Sequence, residues 1–554
     1  MPAYQKIYKF ALLKFLVSYL KLALFGDSVE IKDINQIQKV NKKFQKESSK
    51  VAIIMVFAIL ISIIGLTFGN TSNPLLLVFT TIVGGYMAMS IGANDVANNV
   101  GPAVGSKAIT LIGAIIIAAI CEASGAIIAG GDVVDTIKSG IIDPLSIADP
   151  KVFVGVMMAA LISGAIWVHL ATIIGAPVST THSIVGGILG AGIGAGGFGV
   201  AHWEALGEIV ASWIISPLMG GLFAMVFLMI IKKTITYKQN KKLAAKKVVP
   251  ILIFIMTWSF GLYLILKGLK KIYSIDFPTA LGISFLIALA IYFITKPFIY
   301  KKANTLQNTK EDINLLFTLP LIFAAALLSF AHGANDVANA IGPLAAINQA
   351  LGSLQSVGKT ANVPLWIMAV GGLGISLGLA LYGPKLIKTV GSEITELDKI
   401  RAFCIAMSAA LTVLIASGLG LPVSSTHIAI GAVFGVGFLR EYLKNRYHQM
   451  QQTIIQAHSG KDSKAIEEFL QRFHKASVKR KGIMLESLKK TNKKSFLPPL
   501  NKKEKKSLKK AYKNELVKRS AINKIIASWI ITVPISAILG GIVYFIVMAV
   551  GFKL

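Results

Sequence analysis

An aspartate set among asparagines occurs twice in this chain. Gly92-Ala93-Asn94-Asp95-Val96-Ala97-Asn98-Asn99 returns as Gly333-Ala334-Asn335-Asp336-Val337-Ala338-Asn339-Ala340, with only the last residue changed. Each copy closes an apolar stretch long enough to cross a bilayer, where acids and amides are expensive unless they line a site. Carboxylate, amide and unwound backbone oxygens are hard ligands suited to Na⁺, which makes Asn94, Asp95, Asn335 and Asp336 candidate cation ligands. The same carboxylates could carry a proton instead, and the choice between Na⁺ and H⁺ stays open at this level.

A second pair supplies the opposite chemistry. Pro177-Val178-Ser179-Thr180-Thr181-His182 matches Pro422-Val423-Ser424-Ser425-Thr426-His427. The proline breaks a helix, and the N–H groups freed at the next helix start lie at the positive end of its dipole, a ready anion site. The hydroxyls add donors without adding charge. Carboxylates near an anion are tolerable only if a cation or proton binds with it, which makes anion entry depend on the cation. These four motifs together read as cation-coupled anion uptake, with no enzymatic step and no cofactor.

The elements that must hold these motifs are membrane spans. Apolar residues make up 54% of the 554 positions and charged ones 15%, unlike an ordinary soluble enzyme. Thirteen apolar runs stand out, at about 52–69, 75–93, 106–130, 151–175, 180–200, 207–231, 249–266, 278–295, 313–332, 364–384, 398–416, 422–439 and 523–550, each enough to reach across a ~30 Å hydrocarbon core. Lys39, Lys42, Lys43, Lys46 and Lys50 ahead of the first run place the start in the cytoplasm. Alternating from there puts 232–248 and 440–521 inside, the acidic loop 131–150 outside, and the C-terminus outside. A third match, Ile209-Val210-Ala211-Ser212-Trp213-Ile214-Ile215 with Ile525-Ile526-Ala527-Ser528-Trp529-Ile530-Ile531, follows the same order. All three pairs run in opposite directions on this topology.

The fold class expected is therefore an all-α polytopic membrane protein with two inverted-topology repeats, broken helices and a midplane site. Its divisions are a cytoplasmic N-terminal segment 1–50, an extra span 51–74, repeat 1 at 75–231, a connecting region 232–311 with two spans, and repeat 2 at 312–554. A basic cytoplasmic loop, 440–521, interrupts the second repeat.

The net charge of +31 is concentrated, since 440–521 holds 23 Lys and Arg against 7 Asp and Glu. Beside so many spans this reads as a loop obeying the positive-inside rule and attracted to anionic headgroups, not as a nucleic-acid site. Residues 6–24, punctuated by Lys6, Lys9, Lys14 and Lys21, read as an amphipathic helix on the inner leaflet without a cleavage site after it. Cys121 and Cys404 lie in apolar runs and imply no disulfide. Glu122 lies in an apolar span opposite Ile375 of the other repeat, as a relay or as a helix-packing carboxylate. His182 and His427 read as supports for the hydroxyl clusters, and Lys107 as facing headgroups.

With these residues in view, the chain resembles the inorganic phosphate transporter family (PiT), over most of 75–231 and 312–550. The resemblance implies phosphate symport with Na⁺ or H⁺ across the cytoplasmic membrane, and a homodimer. It also implies a site of Asp95, Asn98, Ser179, Thr180 and Thr181 with Asp336, Asn339, Ser424, Ser425 and Thr426. The extra span at 52–69, the N-terminal stretch and the 440–521 loop lie outside that pattern. Rival readings are a transporter of another oxyanion such as sulfate, a passive anion channel, and an intramembrane aspartyl protease. The last would need a Tyr-Asp and a Gly-x-Gly-Asp, whereas both aspartates here follow Gly-Ala-Asn.

Overall fold

Backbone groups inside a bilayer must be satisfied within the segment that carries them, so apolar runs of this length coil into helices. The computed structural model describes residues 31–69, 71, 73–147, 149–271, 273–352, 363–393, 397–456 and 519–550. These are helical almost throughout, and the one β feature among them is a bridge between Ile142 and Ala201. By contacts the chain divides into two units, Met1–Leu60 and Ile61–Leu554. Helix α1 (Ile31–Phe68) begins in the first and shows exposed Val51, Met55, Val56 and Ile59 there.

In the second unit, α2 (Pro74–Gly105), α3 (Leu111–Ala129), the short α4 (Gly131–Ser139), α5 (Pro150–Ile174), α6 (Thr180–Gly196) and α7 (Trp203–Ile231) carry the first set of motifs. After α8 (Lys241–Tyr263), α9 (Phe277–Asn304) and α10 (Lys310–Leu315) come α11 (Thr318–Asp336), α12 (Ala338–Gly352), α13 (Leu365–Glu393), α14 (Lys399–Gly418), α15 (Ser425–Gln456) and α16 (Arg519–Ala549), which carry the second. Among the described residues eleven helices are long and apolar enough to span a membrane, against thirteen runs in the sequence.

The two runs that fall short are α6 and the start of α15, and both are second arms of helical hairpins. Gly164 of α5 faces Ile184 of α6, and Gly187 faces Ala160 and Ser163, so the two arms run antiparallel from a tip at 175–179. Gly175, in the left-handed region at φ 85°, turns the chain at the end of α5, and Gly420 at φ 70° does the same after α14. Neither 180–200 nor 422–439 is among the eleven, α6 being 17 residues long. Ser179 and Ser424 cap the second arms, and the hairpin tips bring Thr180 and Ser425 to the buried aspartates.

Breaks also fall differently from expectation at the aspartates. The first motif lies within continuous α2, with Asp95 ten residues before its end at Gly105, about 15 Å by helical rise. The second does interrupt its helix, α11 ending at Asp336 and α12 starting at Ala338. The N-terminal stretch 6–24 lies outside the described residues, as does 457–518 of the basic loop. Residues 440–456 continue α15 as helix.

The two sets of helices interlock through matching contacts. α2 packs on α13 and α3 on α11, while α7 packs on α15 and α16 on α6. Backbones touch at equivalent points: a Cβ on Gly92 would strike the Ile375 carbonyl, and one on Gly333 the Glu122 carbonyl. Gly333→Ala is therefore expected to force α11 off α3 at about 1–3 kcal/mol. Gly175→Ala, whose Cβ would have nothing within 4 Å, faces only the left-handed backbone, about 1 kcal/mol. Thermal denaturation of the purified protein checks this, and equal midpoints for the two variants would rule out the close approach.

Candidate functional site

Both hairpin tips end at the aspartates. On α2, Asp95 accepts from Thr180 Oγ1 at 2.8 Å through Oδ2 and from Thr426 Oγ1 at 2.9 Å through Oδ1. At the end of α11, Asp336 Oδ2 accepts from Ser425 Oγ at 2.7 Å, while Oδ1 has no partner. Asn98 donates to Thr426 Oγ1 at 2.8 Å and Asn339 to Thr181 Oγ1 at 3.0 Å, each reaching the other half's hairpin. Thr181 in turn donates to the Val423 carbonyl at 2.9 Å. Ser179 and Ser424 cap the helix starts, their Oγ accepting from the N–H groups of His182 and His427. All ten residues expected to meet phosphate are buried, and this network brings Asp95, Asn98, Thr180, Thr181, Asp336, Asn339, Ser425 and Thr426 together.

Two helix N-termini, those of α6 and α15, thus converge with their hydroxyls between two carboxylates. No lysine or arginine stands among the site residues, so an anion here would be held by dipoles and hydroxyl and amide donors.

Asn94 and Asn335 pin the hairpin turns. Asn94 donates to Thr172 Oγ1 (3.0 Å) and the Ala176 carbonyl (3.2 Å) and accepts from the Val178 N–H (3.2 Å). Asn335 donates to Ser417 Oγ (2.9 Å) and the Leu421 carbonyl (3.1 Å) and keeps Oδ1 unpartnered. Of this pair only Asn335 retains an oxygen with no protein partner.

Sequence reasoning missed His332. It lies one turn before Asp336 on the same face of α11, and its Nε2 is 3.0 Å from Asp336 Oδ2 and 3.7 Å from Asp95 Oδ2. The available signal was its position directly before the second Gly-Ala-Asn-Asp. Ligand atoms of Asp95, His332 and Asp336 lie within 4.8 Å of one another, close enough to share one metal ion. The unpartnered, buried oxygens of Asp336 and Asn335 fit a hard cation, which would satisfy them. Glu122 lies next to this group, its Oε1 3.4 Å from His332 Nδ1 and accepting from Asn99 at 2.8 Å. Three buried carboxylates therefore face one imidazole, an arrangement that favours cation binding.

His182 and His427 meet edge to face with ring centroids 4.4 Å apart, and each lies 3.8 Å from a tryptophan, Trp213 and Trp529 respectively. They brace the hairpins against each other, in keeping with a supporting role.

Comparison with known proteins gives the family. The Phosphate transporter family model (PHO4) matches residues 91–540. A Helicobacter pylori protein named "Putative phosphate permease" is 59% identical over 531 residues, 95% of this chain and 99% of its own. A Pyrococcus furiosus protein of the same description is 42% identical over 375 residues, 68% of this chain and 90% of its own. A solved structure, "The sodium-dependent phosphate transporter", superposes with a TM-score of 0.69 at 31% identity over 86% of this chain and 99% of that one. The chain is an integral membrane permease, not an enzyme, and it belongs to the phosphate transporter family.

Proposed function

We propose that this protein takes up inorganic phosphate across the cytoplasmic membrane by symport with Na⁺, using two halves of inverted topology around a midplane site. The observation that carries this reading is that hydroxyls at two opposed helix N-termini donate to two buried aspartates. Thr180, Thr426 and Ser425 would donate their hydrogen bonds to Asp95 and Asp336 while the site lacks cargo. A Na⁺ binding the carboxylates competes for those oxygens and frees the hydroxyls to donate to phosphate. Phosphate binding then follows cation binding, which is what coupling requires.

Several features support the inverted arrangement. The matching contacts relate the α5–α6 hairpin to the α14–α15 hairpin, and the acidic and basic loops suit hairpins entering from outside and inside respectively. Each hairpin returns to its own side, so the expected N-inside and C-outside ends are unaffected. The depth of Asp95, about 15 Å from the helix end, is half of a ~30 Å core. Na⁺ is favoured over H⁺ by the unpartnered Asp336 and Asn335 oxygens and by the sodium dependence in the solved relative's name.

The test is ³²P-phosphate uptake into proteoliposomes, with Na⁺ and pH gradients imposed separately and sulfate as competitor. Uptake driven by the Na⁺ gradient alone is expected. Uptake following the pH gradient alone would reassign the coupling ion, and full competition by sulfate would sink the phosphate assignment.

A further inference from the structure

The contacts of the two halves correspond closely, which makes their exceptions informative. Asn99 stands where the second motif has Ala340, and His332 stands where the first has Ile91. The backbone contacts of Gly92 with Ile375 and of Gly333 with Glu122 pair those two residues across the halves. These three departures sit on three different helices, α2, α3 and α11, yet they touch. Asn99 Nδ2 donates to Glu122 Oε1 at 2.8 Å, His332 Nδ1 is 3.4 Å from the same oxygen, and His332 Nε2 reaches Asp336 at 3.0 Å. The equivalent position of each in the opposite half, Ala340 for Asn99, Ile375 for Glu122 and Ile91 for His332, is apolar and buried.

Packing does not require the polar set, since Ile91, Ala340 and Ile375 make the corresponding helix contacts at the equivalent positions. A fully buried carboxylate is costly unless something compensates it. Glu122 Oε2 and Asn99 Oδ1 are both buried and accept no hydrogen bond. Two hydrogen-bonded neighbours thus each keep one open oxygen, a carboxylate and an amide, and such oxygens are ligands for a hard monovalent cation. An anion is excluded there by the charge of Glu122.

We propose that Glu122 and Asn99 form a further Na⁺ site off the pseudo-twofold axis, joined to the phosphate site through His332 and Asp336. The site adds one cation to those the paired aspartates hold, so coupling involves an unpaired ion that only one half supplies. This rests on the Na⁺-symport reading above and deepens it.

The experiment uses the full-length protein in proteoliposomes, with ²²Na⁺ and ³²P-phosphate fluxes measured together and the Na⁺ dependence of phosphate uptake fitted for its slope. Two variants are compared with wild type: Glu122→Gln, which keeps the shape, and Glu122→Ile with Asn99→Ala, which copies the other half. Both are expected to lower the Na⁺ slope and the Na⁺:phosphate ratio by about one ion, with phosphate uptake persisting at high Na⁺. If the double variant does not fold, Glu122→Gln alone decides. An unchanged ratio in a folded, transporting variant overturns the proposal, as does a ratio that falls for H⁺ and not for Na⁺. Complete loss of uptake at every Na⁺ concentration also overturns it, since that makes Glu122 part of the phosphate site. Failure of the symport reading is distinct, because wild type itself would then show no Na⁺-driven phosphate uptake.

Discussion

Asp95→Asn is expected to reduce Na⁺-driven phosphate uptake by about 100-fold or more, because the amide removes the charge and a ligand oxygen of the proposed Na⁺ site, a loss on the order of 3 kcal/mol. Thr180 and Thr426 come from different hairpins and converge on its two oxygens at 2.8 and 2.9 Å. An amide keeps the shape but offers one acceptor oxygen and no charge, so one hydroxyl loses its acceptor and the cation loses a ligand. The decisive measurement compares uptake with equilibrium phosphate binding across a Na⁺ series. Loss of the Na⁺ dependence of binding is expected together with the loss of uptake. Uptake within threefold of wild type would show that Asp95 is not part of the coupling machinery.

Thr426→Val should weaken phosphate affinity by about 30-fold, a loss of roughly 2 kcal/mol. In the empty site the hydroxyl accepts from Asn98 at 2.8 Å and donates to Asp95. Once a cation takes that carboxylate, the hydroxyl is a donor for phosphate, so Val removes that donor and leaves the Asn98 amide without its partner. The change in volume is small, and the helix cap at Ser424 is untouched, so the protein should fold. Phosphate affinity measured by uptake at saturating Na⁺ reports the effect. If the affinity stays within a factor of three, the hydroxyl is a bystander and the bridge between the halves carries no binding energy.

Both effects depend on groups 331 and 328 positions apart in the chain, which marks where sequence reading stops. Residue types alone determined the all-helical membrane class, because apolar runs of bilayer length permit little else. They also identified the paired acidic and hydroxyl motifs, because polar groups are rare at that depth and a repeat in the same order is not accidental. The positive-inside pattern further gave an orientation in which the copies oppose each other, an expectation the uptake and labelling of oriented vesicles can check.

Tertiary structure decided how those motifs meet. Apolarity cannot show that 180–200 and 422–439 are second arms of hairpins, and only the structure shows Thr180 and Ser425, just past the turns at Gly175 and Gly420, reaching the aspartates. Asn94 looked like a cation ligand by chemistry, but the hairpin turn takes up both ends of its amide. His332 gave no periodic signal, and its closeness to both aspartates and Glu122 exists only because α3 and α11 pack backbone to backbone at Gly333. The sequence specifies which groups must avoid lipid; only close helix packing, set by small residues at the crossing points, determines which of them face one another.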